Sequence, residues 1–194
     1  MHEQEPEPHH EQEPPANPPP RIYVASLSDY NAGRLHGEWI TIDRATDEIH
    51  DRITQILDGS PEPGAEEWAI HDYEGFHGIQ INEQEALDTV VWLADKLAEH
   101  GPAFTGWVAH KGELDPDEDD FKDHYLGQFD SVTDYAELLA DDMGVDTMLD
   151  LYVPAHLRSY VTFDAAAFGR DLELGGDIVS VDTPDGDTWI YDAH

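Results

Sequence analysis

Between Glu113 and Asp150, fourteen acidic side chains stand against a single Lys, Lys122. Carboxylates at this density can ligate a cation, exchange protons in pairs, or present a fixed negative field. The segment best suited to a cation is Asp115-Pro116-Asp117-Glu118-Asp119-Asp120, which starts like an EF-hand calcium loop. It departs from that pattern at the sixth position, Asp120 in place of Gly, and at the twelfth, Leu126 in place of Glu. No metal site is expected from it. Paired carboxylates occur throughout the chain, so proximity of two does not single out an acid–base couple. His71 and His77 bracket Asp72 and Glu74, yet His71 falls in an expected strand and reads as a half-buried structural histidine. There is no G-x-S-x-G, Walker, G-x-G-x-x-G or H-E-x-x-H motif. Zero Cys removes disulfides, thiolate nucleophiles and Cys-based metal sites. Neither an enzyme nor a cofactor is expected. The field remains.

That field extends over the whole chain. Asp and Glu total 44 against 9 Lys and Arg, a formal net charge of −35 over 194 residues. Five of the acids lie in the first twenty residues, so the remainder still sets 39 acids against 9 cations. With 39% apolar residues and five Trp, the chain can bury a real core and is no disordered acidic tail. Such a charge excludes nucleic acid or an anionic membrane as ligand and favours a basic partner. Three readings compete: a salt-adapted acidic binding protein, a cation-binding protein, and imitation of a polyanion such as DNA.

Apolar residues threaded through the acids let this stretch fold. Ser131, three residues before Asp134, opens a helix by accepting an early N–H. Val132, Tyr135, Ala136, Leu139 and Met143 then form one apolar stripe. Asp134, Glu137 and Asp141 share another stripe, with Asp130 just before it. Neighbours three or four apart on a helix sit roughly 5–6 Å apart, comparable with the charge spacing of a nucleic-acid strand. Like charges so placed repel, and a folded surface that tolerates them is expected to use the field. The expected partner-binding acids are Asp115, Asp117, Glu118, Asp119, Asp120, Asp123, Asp130, Asp134, Glu137, Asp141, Asp142, Asp146 and Asp150.

The elements that position them follow in order. Residues 1–20 are a Pro/Glu/His-rich arm expected to be disordered and partly polyproline-like. Arg21–Leu27 reads as a strand ending in a turn over 28–33, and Gly37–Ile42 as a second strand. A helix starts at Asp43 or Thr46 and runs to about Asp58, before the breaker Gly59-Ser60-Pro61-Glu62-Pro63-Gly64. Glu66–Tyr73 completes a β-β-α-β unit. Asn82 with Glu85 opens a helix that Gly101-Pro102 stops, and 103–110 continues as a shorter one. Asp115 caps a brief acidic helix with Pro116 first inside it. Tyr125–Phe129 reads as a strand, and 154–159 and 163–171 as short helices. Ile178–Val181 and Thr188–Tyr191 form a hairpin. The fold class is α+β, an elongated chain of three small subdomains over 21–81, 82–122 and 123–194. No apolar run approaches the roughly 18 residues of a membrane span, and no secretory signal is evident, so a cytoplasmic protein is expected.

Three separated stretches carry a resemblance. Arg21-Ile22-Tyr23-Val24-Ala25-Ser26-Leu27, then Asp29-Tyr30-Asn31-Ala32-Gly33 and Leu35-His36-Gly37-Glu38-Trp39, resemble the opening of the ArdA antirestriction family. Glu67-Trp68-Ala69-Ile70-His71-Asp72-Tyr73-Glu74 is similar to its next landmark. Val153-Pro154-Ala155-His156-Leu157-Arg158-Ser159-Tyr160, followed by Phe163-Asp164 and Ala167-Phe168-Gly169-Arg170-Asp171-Leu172, is similar to its C-terminal signature. The resemblance covers roughly 21–191 and marks Tyr23, Asn31, Gly33, Gly37, Trp39, Asp72, Tyr73, Pro154, Leu157, Tyr160, Phe168, Gly169, Arg170 and Asp171 as signature positions. It implies a protein of mobile genetic elements, an elongated homodimer whose carboxylates imitate B-form DNA. Such a protein occupies the DNA groove of type I restriction–modification enzymes, with the methyltransferase–specificity core as partner. The arm and the Asp-rich insert around 115–123 depart from the family pattern and add charge. The segment 153–172 is then expected to build the dimer or its frame.

Overall fold

The structure is a computed structural model that describes residues 18–194; residues 1–17, which hold most of the Pro/Glu-rich arm, lie outside the described residues. Helices and two antiparallel three-stranded sheets make the fold α+β. The chain falls into two compact units, the first ending at Gly75 and the second running from Phe76 to His194.

The first unit is the expected β-β-α-β arrangement with one helix more. Its elements are β1 (Arg21–Ser26), α1 (Leu27–Asn31), β2 (Gly37–Thr41), α2 (Thr46–Asp58) and β3 (Trp68–Glu74), in sheet order β2-β1-β3. The period of two places Ile22 and Val24 in the core, and α2 adds Ile49, Ile53 and Ile56. On the other face Tyr23 pairs with Trp39 edge-on, ring centroids 5.6 Å apart. The segment read as a turn starts instead as α1, because the Ser26 hydroxyl accepts the Asp29 N–H at 3.3 Å and caps a helical turn. Asp29 itself is fully buried, and the Ser60 hydroxyl and Arg34 guanidinium meet its carboxylate. The Ser60 hydrogen bond is the main reason its carboxyl titrates below the usual range. Gly37 has no room for a side chain, since a Cβ there would run into the Val24 carbonyl oxygen on β1.

The second unit contains α3 (Leu87–His100), α4 (Ala103–Lys111), α5 (Glu118–His124), β4 (Tyr125–Phe129), α6 (Val132–Asp142), α7 (Val145–Tyr152), α8 (Ala165–Gly175), β5 (Ile178–Asp182) and β6 (Thr188–Asp192). The sheet order is β4-β6-β5, and the expected hairpin is β5–β6. An aromatic core joins helices to sheet: Phe104 meets Phe121 at 5.1 Å, Phe121 stacks on Tyr125 at 5.3 Å, and Trp107 meets Tyr191 at 5.6 Å. The Tyr191 hydroxyl donates to the Ala103 carbonyl at 2.6 Å, which satisfies the one polar atom of that buried ring.

Several boundaries differ from the sequence reading, among them the helix read over 163–171, which is α8 at Ala165–Gly175, and the strand read from Glu66, which is β3 starting at Trp68. Asn82 and Glu85 do bond each other, but in a turn, and α3 begins only at Leu87. The acidic helix α5 is capped by Asp117, not Asp115, because Pro116 is buried in the turn before it. The helix read over 154–159 is a turn followed by one 3-10 turn, Arg158–Tyr160. Residues 145–152, given no element by periodicity, form α7 after Gly144 turns left-handed at φ 70°.

The packing of α6 on α8 also corrects the expected stripe. Ala136 and Ala140 are buried, whereas Met143 is 53% exposed. A Cβ on Gly169 of α8 would stand 3.0 Å from Val132 Cγ1 and 3.3 Å from Ala136 Cβ, so the two helices touch through small residues. Replacing Gly169 with Leu is expected to overpack this contact and destabilise the second unit by roughly 1–3 kcal/mol, read as a lowered urea midpoint. A midpoint equal to the parent's would show that the helices do not meet there.

Candidate acidic interaction surface

The nine cations of the chain decide which carboxylates can act on a partner. Arg21 binds Glu74, Arg34 binds Asp29 and Glu62, Arg44 binds Asp43, and Arg52 binds Glu38. In the second unit Lys96 and Lys122 both hold Glu118 and Glu99, Lys111 holds Asp120 at 2.5 Å, and Arg158 holds Asp146 at 3.0 Å and Asp150 at 2.6 Å. Among the described residues only Arg170 carries no ion pair. Ten acids therefore meet a Lys or Arg, and of the 39 acids beyond residue 20 the other 29 do not.

The expected partner-binding acids separate on this basis. Glu118, Asp120, Asp146 and Asp150 are neutralised locally by the pairs just described. Asp117 accepts the Asp119 N–H at 3.0 Å as helix cap, and Asp134 takes the Ser131 hydroxyl. Asp115, Asp119, Asp123, Asp130, Glu137, Asp141 and Asp142 are exposed and meet no cation among the described residues. On α6, Glu137 and Asp141 stand beside Asp134 on the solvent side, while Ala136 and Ala140 face α8. This face is a row of fixed charges held by a packed helix.

Two features escape sequence reasoning. A cleft of about 530 Å³ forms where Asp88 and Trp92 of α3 face Asp115, Asp117 and Asp119. Asp88 and Trp92 are one helical turn apart, a spacing that shows they share a face but not what the face meets. An aromatic ring among carboxylates suits a guanidinium or ammonium group. The second feature is apolar. Nothing of α7 is buried, and Leu151 and Tyr152 are 72% and 78% exposed. Tyr160 at 83% and Leu174 at 80% are equally bare.

The signature positions are mostly architectural. Gly33 needs its left-handed φ of 76°, Gly37 and Gly169 sit in close contacts, and Tyr23 pairs with Trp39. The Asp72 carboxylate accepts the N–H of Tyr73, and Phe168 meets Phe163 edge-on at 5.3 Å. Asn31, Pro154, Leu157, Tyr160, Arg170 and Asp171 are exposed. His71 lies in β3 against Tyr30, ring centroids 4.7 Å apart.

Among the described residues one group, Glu99, His100 and Glu118, has ligand atoms close enough to share a metal. Lys96 and Lys122 already occupy those carboxylates, so a cation there would have to displace two ammonium groups. The Lys122 ammonium, then that of Lys96, brings the Glu118 carboxyl down to about 2. Lys111 lowers Asp120 likewise. His124 is held above its ordinary value because its ring nitrogens donate to the carbonyls of Asp120, at 2.6 Å, and His194, at 2.7 Å. Stability from Glu118 should be complete above its ordinary value of 4.5 and lost as pH falls towards about 2. Denaturant titrations of parent and Glu118→Gln should therefore differ at pH 6, with the gap shrinking below pH 4.5 and closing only at about pH 2. A gap independent of pH would remove the ion-pair explanation.

A protein-family model matches most of the chain. The family described as "Antirestriction protein (ArdA)" matches residues 22–184, a span that takes in strands of both units and the acid row of α6. No curated protein matches the chain. A match over that share of the sequence places this chain in the ArdA family of antirestriction proteins.

Proposed function

We propose that this chain inhibits type I restriction–modification enzymes by imitating B-form DNA and occupying their DNA-binding groove in competition with it. The observation that carries the reading is the allocation of cations. Eight of nine are ion-paired with acids of the chain itself, so the protein faces a partner with many carboxylates that lack counter-charges of their own. A groove lined with Lys and Arg to hold phosphates recognises such a surface through the same counterion release that drives DNA binding. The acids of α6 and of the cleft at Trp92 are the contacts offered here, none of which involves bond chemistry. The partner is the methyltransferase–specificity core, and the protein has no nucleic-acid ligand of its own.

The active form is a homodimer. The apolar residues of α7, and separately Tyr160 and Leu174, are exposed to an extent for which a strongly charged monomer has no reason. A second copy of the chain covers the α7 residues with no new surface type, by self-complementary contact. The strong charge elsewhere on the chain leaves this patch as the place where two copies can approach.

Competition with labelled DNA for a purified type I methyltransferase core tests the reading directly. Near-stoichiometric displacement that weakens steeply with salt is expected, and no displacement at any salt would overturn it. The combined Asp134→Lys, Glu137→Lys and Asp141→Lys variant should lose displacement by about tenfold or more while keeping its circular dichroism, each tenfold corresponding to about 1.4 kcal/mol. Undiminished displacement would remove α6 from the contact surface. Leu151→Asp with Tyr160→Asp should convert the dimer to a folded monomer in sedimentation equilibrium. A dimer that persists in this variant would place the interface elsewhere.

A further inference from the structure

Within the second unit, a cavity of about 650 Å³ opens between the 77–80 segment, α4 and the turn that follows β5. Its size lies in the range of small-molecule sites, roughly 300–1,000 Å³. The acid rows and the α7 patch play no part in it. Ile79, Val108, Leu114 and Trp189 supply apolar walls. Along α4 the hollow is lined by Thr105, Val108 and Ala109, whose short side chains leave the space open, while Gly106 lets the helix pass close to the Tyr191 hydroxyl. The entry loop is held by unusual backbone: His77 has φ 48°, the single non-glycine with positive φ among the described residues, between Gly75 and Gly78 at 84° and 93°. That conformation is costly for His and sets residues 77–80 as a wall.

The charge of the lining selects the occupant. Glu113 and Asp182 border the cavity, both exposed and neither paired with a cation among the described residues. The lining contains no Lys or Arg. Lys111, beside it in sequence, has its ammonium over the Trp107 ring and on Asp120. We infer that this cavity is a binding site for a small organic cation with a flat apolar body, the body against Trp189 and Val108 and the positive group towards Glu113 and Asp182. An anion of the same shape meets two carboxylates with no Lys or Arg to offset them, His77 being the one basic side chain of the lining, and is disfavoured. The site holds irrespective of how the antirestriction surface works, since no residue of α6 or α7 lines it.

The cationic dye thioflavin T, titrated into the full-length protein and read by fluorescence, tests the assignment. The titration is run at about 0.5 M NaCl, where screening confines non-specific attraction to a few ångström. Saturable binding at one dye per chain is expected, with no comparable binding of anionic anilinonaphthalene sulfonate. Ala109→Trp, at an exposed position on the cavity wall, should fill the hollow and weaken the dye by about tenfold or more. The pair Glu113→Gln and Asp182→Asn, both at exposed positions, should weaken it similarly while leaving the walls intact, and decides the matter if Ala109→Trp does not fold. Dye binding that never saturates, that is equal in both variants, or that the sulfonate matches would overturn the inference.

Discussion

Repulsion among carboxylates is the constraint the rest of the structure answers to. A folded region with 39 acids and 9 cations gains compactness only where something offsets the field. The few cations stand where elements meet. Lys96, Lys111 and Lys122 bind α5 to α3 and α4, Arg158 binds the 3-10 turn back to α7, and Arg21 links β1 to β3. Exposed pairs of this kind contribute little each. Their value here lies in position, because each removes a repulsion at a junction that would otherwise open. The aromatic packing of Phe104, Trp107, Phe121 and Tyr191 supplies the cohesion the charges withhold.

The same division explains why a surface can remain so negative without melting. The acids of α6 sit on a helix whose opposite side touches α8 through Ala136 and Gly169, a contact close enough to hold the helix against its own charges. The backbone therefore carries the charges at fixed spacing, and a partner meets them already ordered. Pre-ordering of this sort reduces the entropy lost on association.

Much of this was legible in the residues. Runs of β-branched and aromatic residues between turn signals located most strands. Tyr125–Phe129 fits either period and is read as a strand because Gly127 weakens a helix, and Ser131 marked the start of α6 through its cap with Asp134. Large apolar residues misled at α6, where hydrophobic pattern favours Met143 but close helix contact selects Ala and Gly. The helix α7 escaped because none of its own residues is buried among the described residues, so no core pattern announces it. Which acids stay unpaired was not legible at all. Lys96 finds Glu118 only after α3 and α5 are packed, and local spacing carries no trace of that.

The scarcity of lysine also has a practical side. The three lysines, Lys96, Lys111 and Lys122, all lie at the one junction of α3, α4 and α5, and each ammonium is engaged with a carboxylate. Amine-directed reagents, whether for dye labelling, chemical cross-linking or attachment to a sensor chip, therefore modify the groups that hold this junction. Carboxyl activation, which draws on the abundant unpaired acids, would instead consume the surface under study. A cysteine placed in the cysteine-free chain gives a handle that disturbs neither.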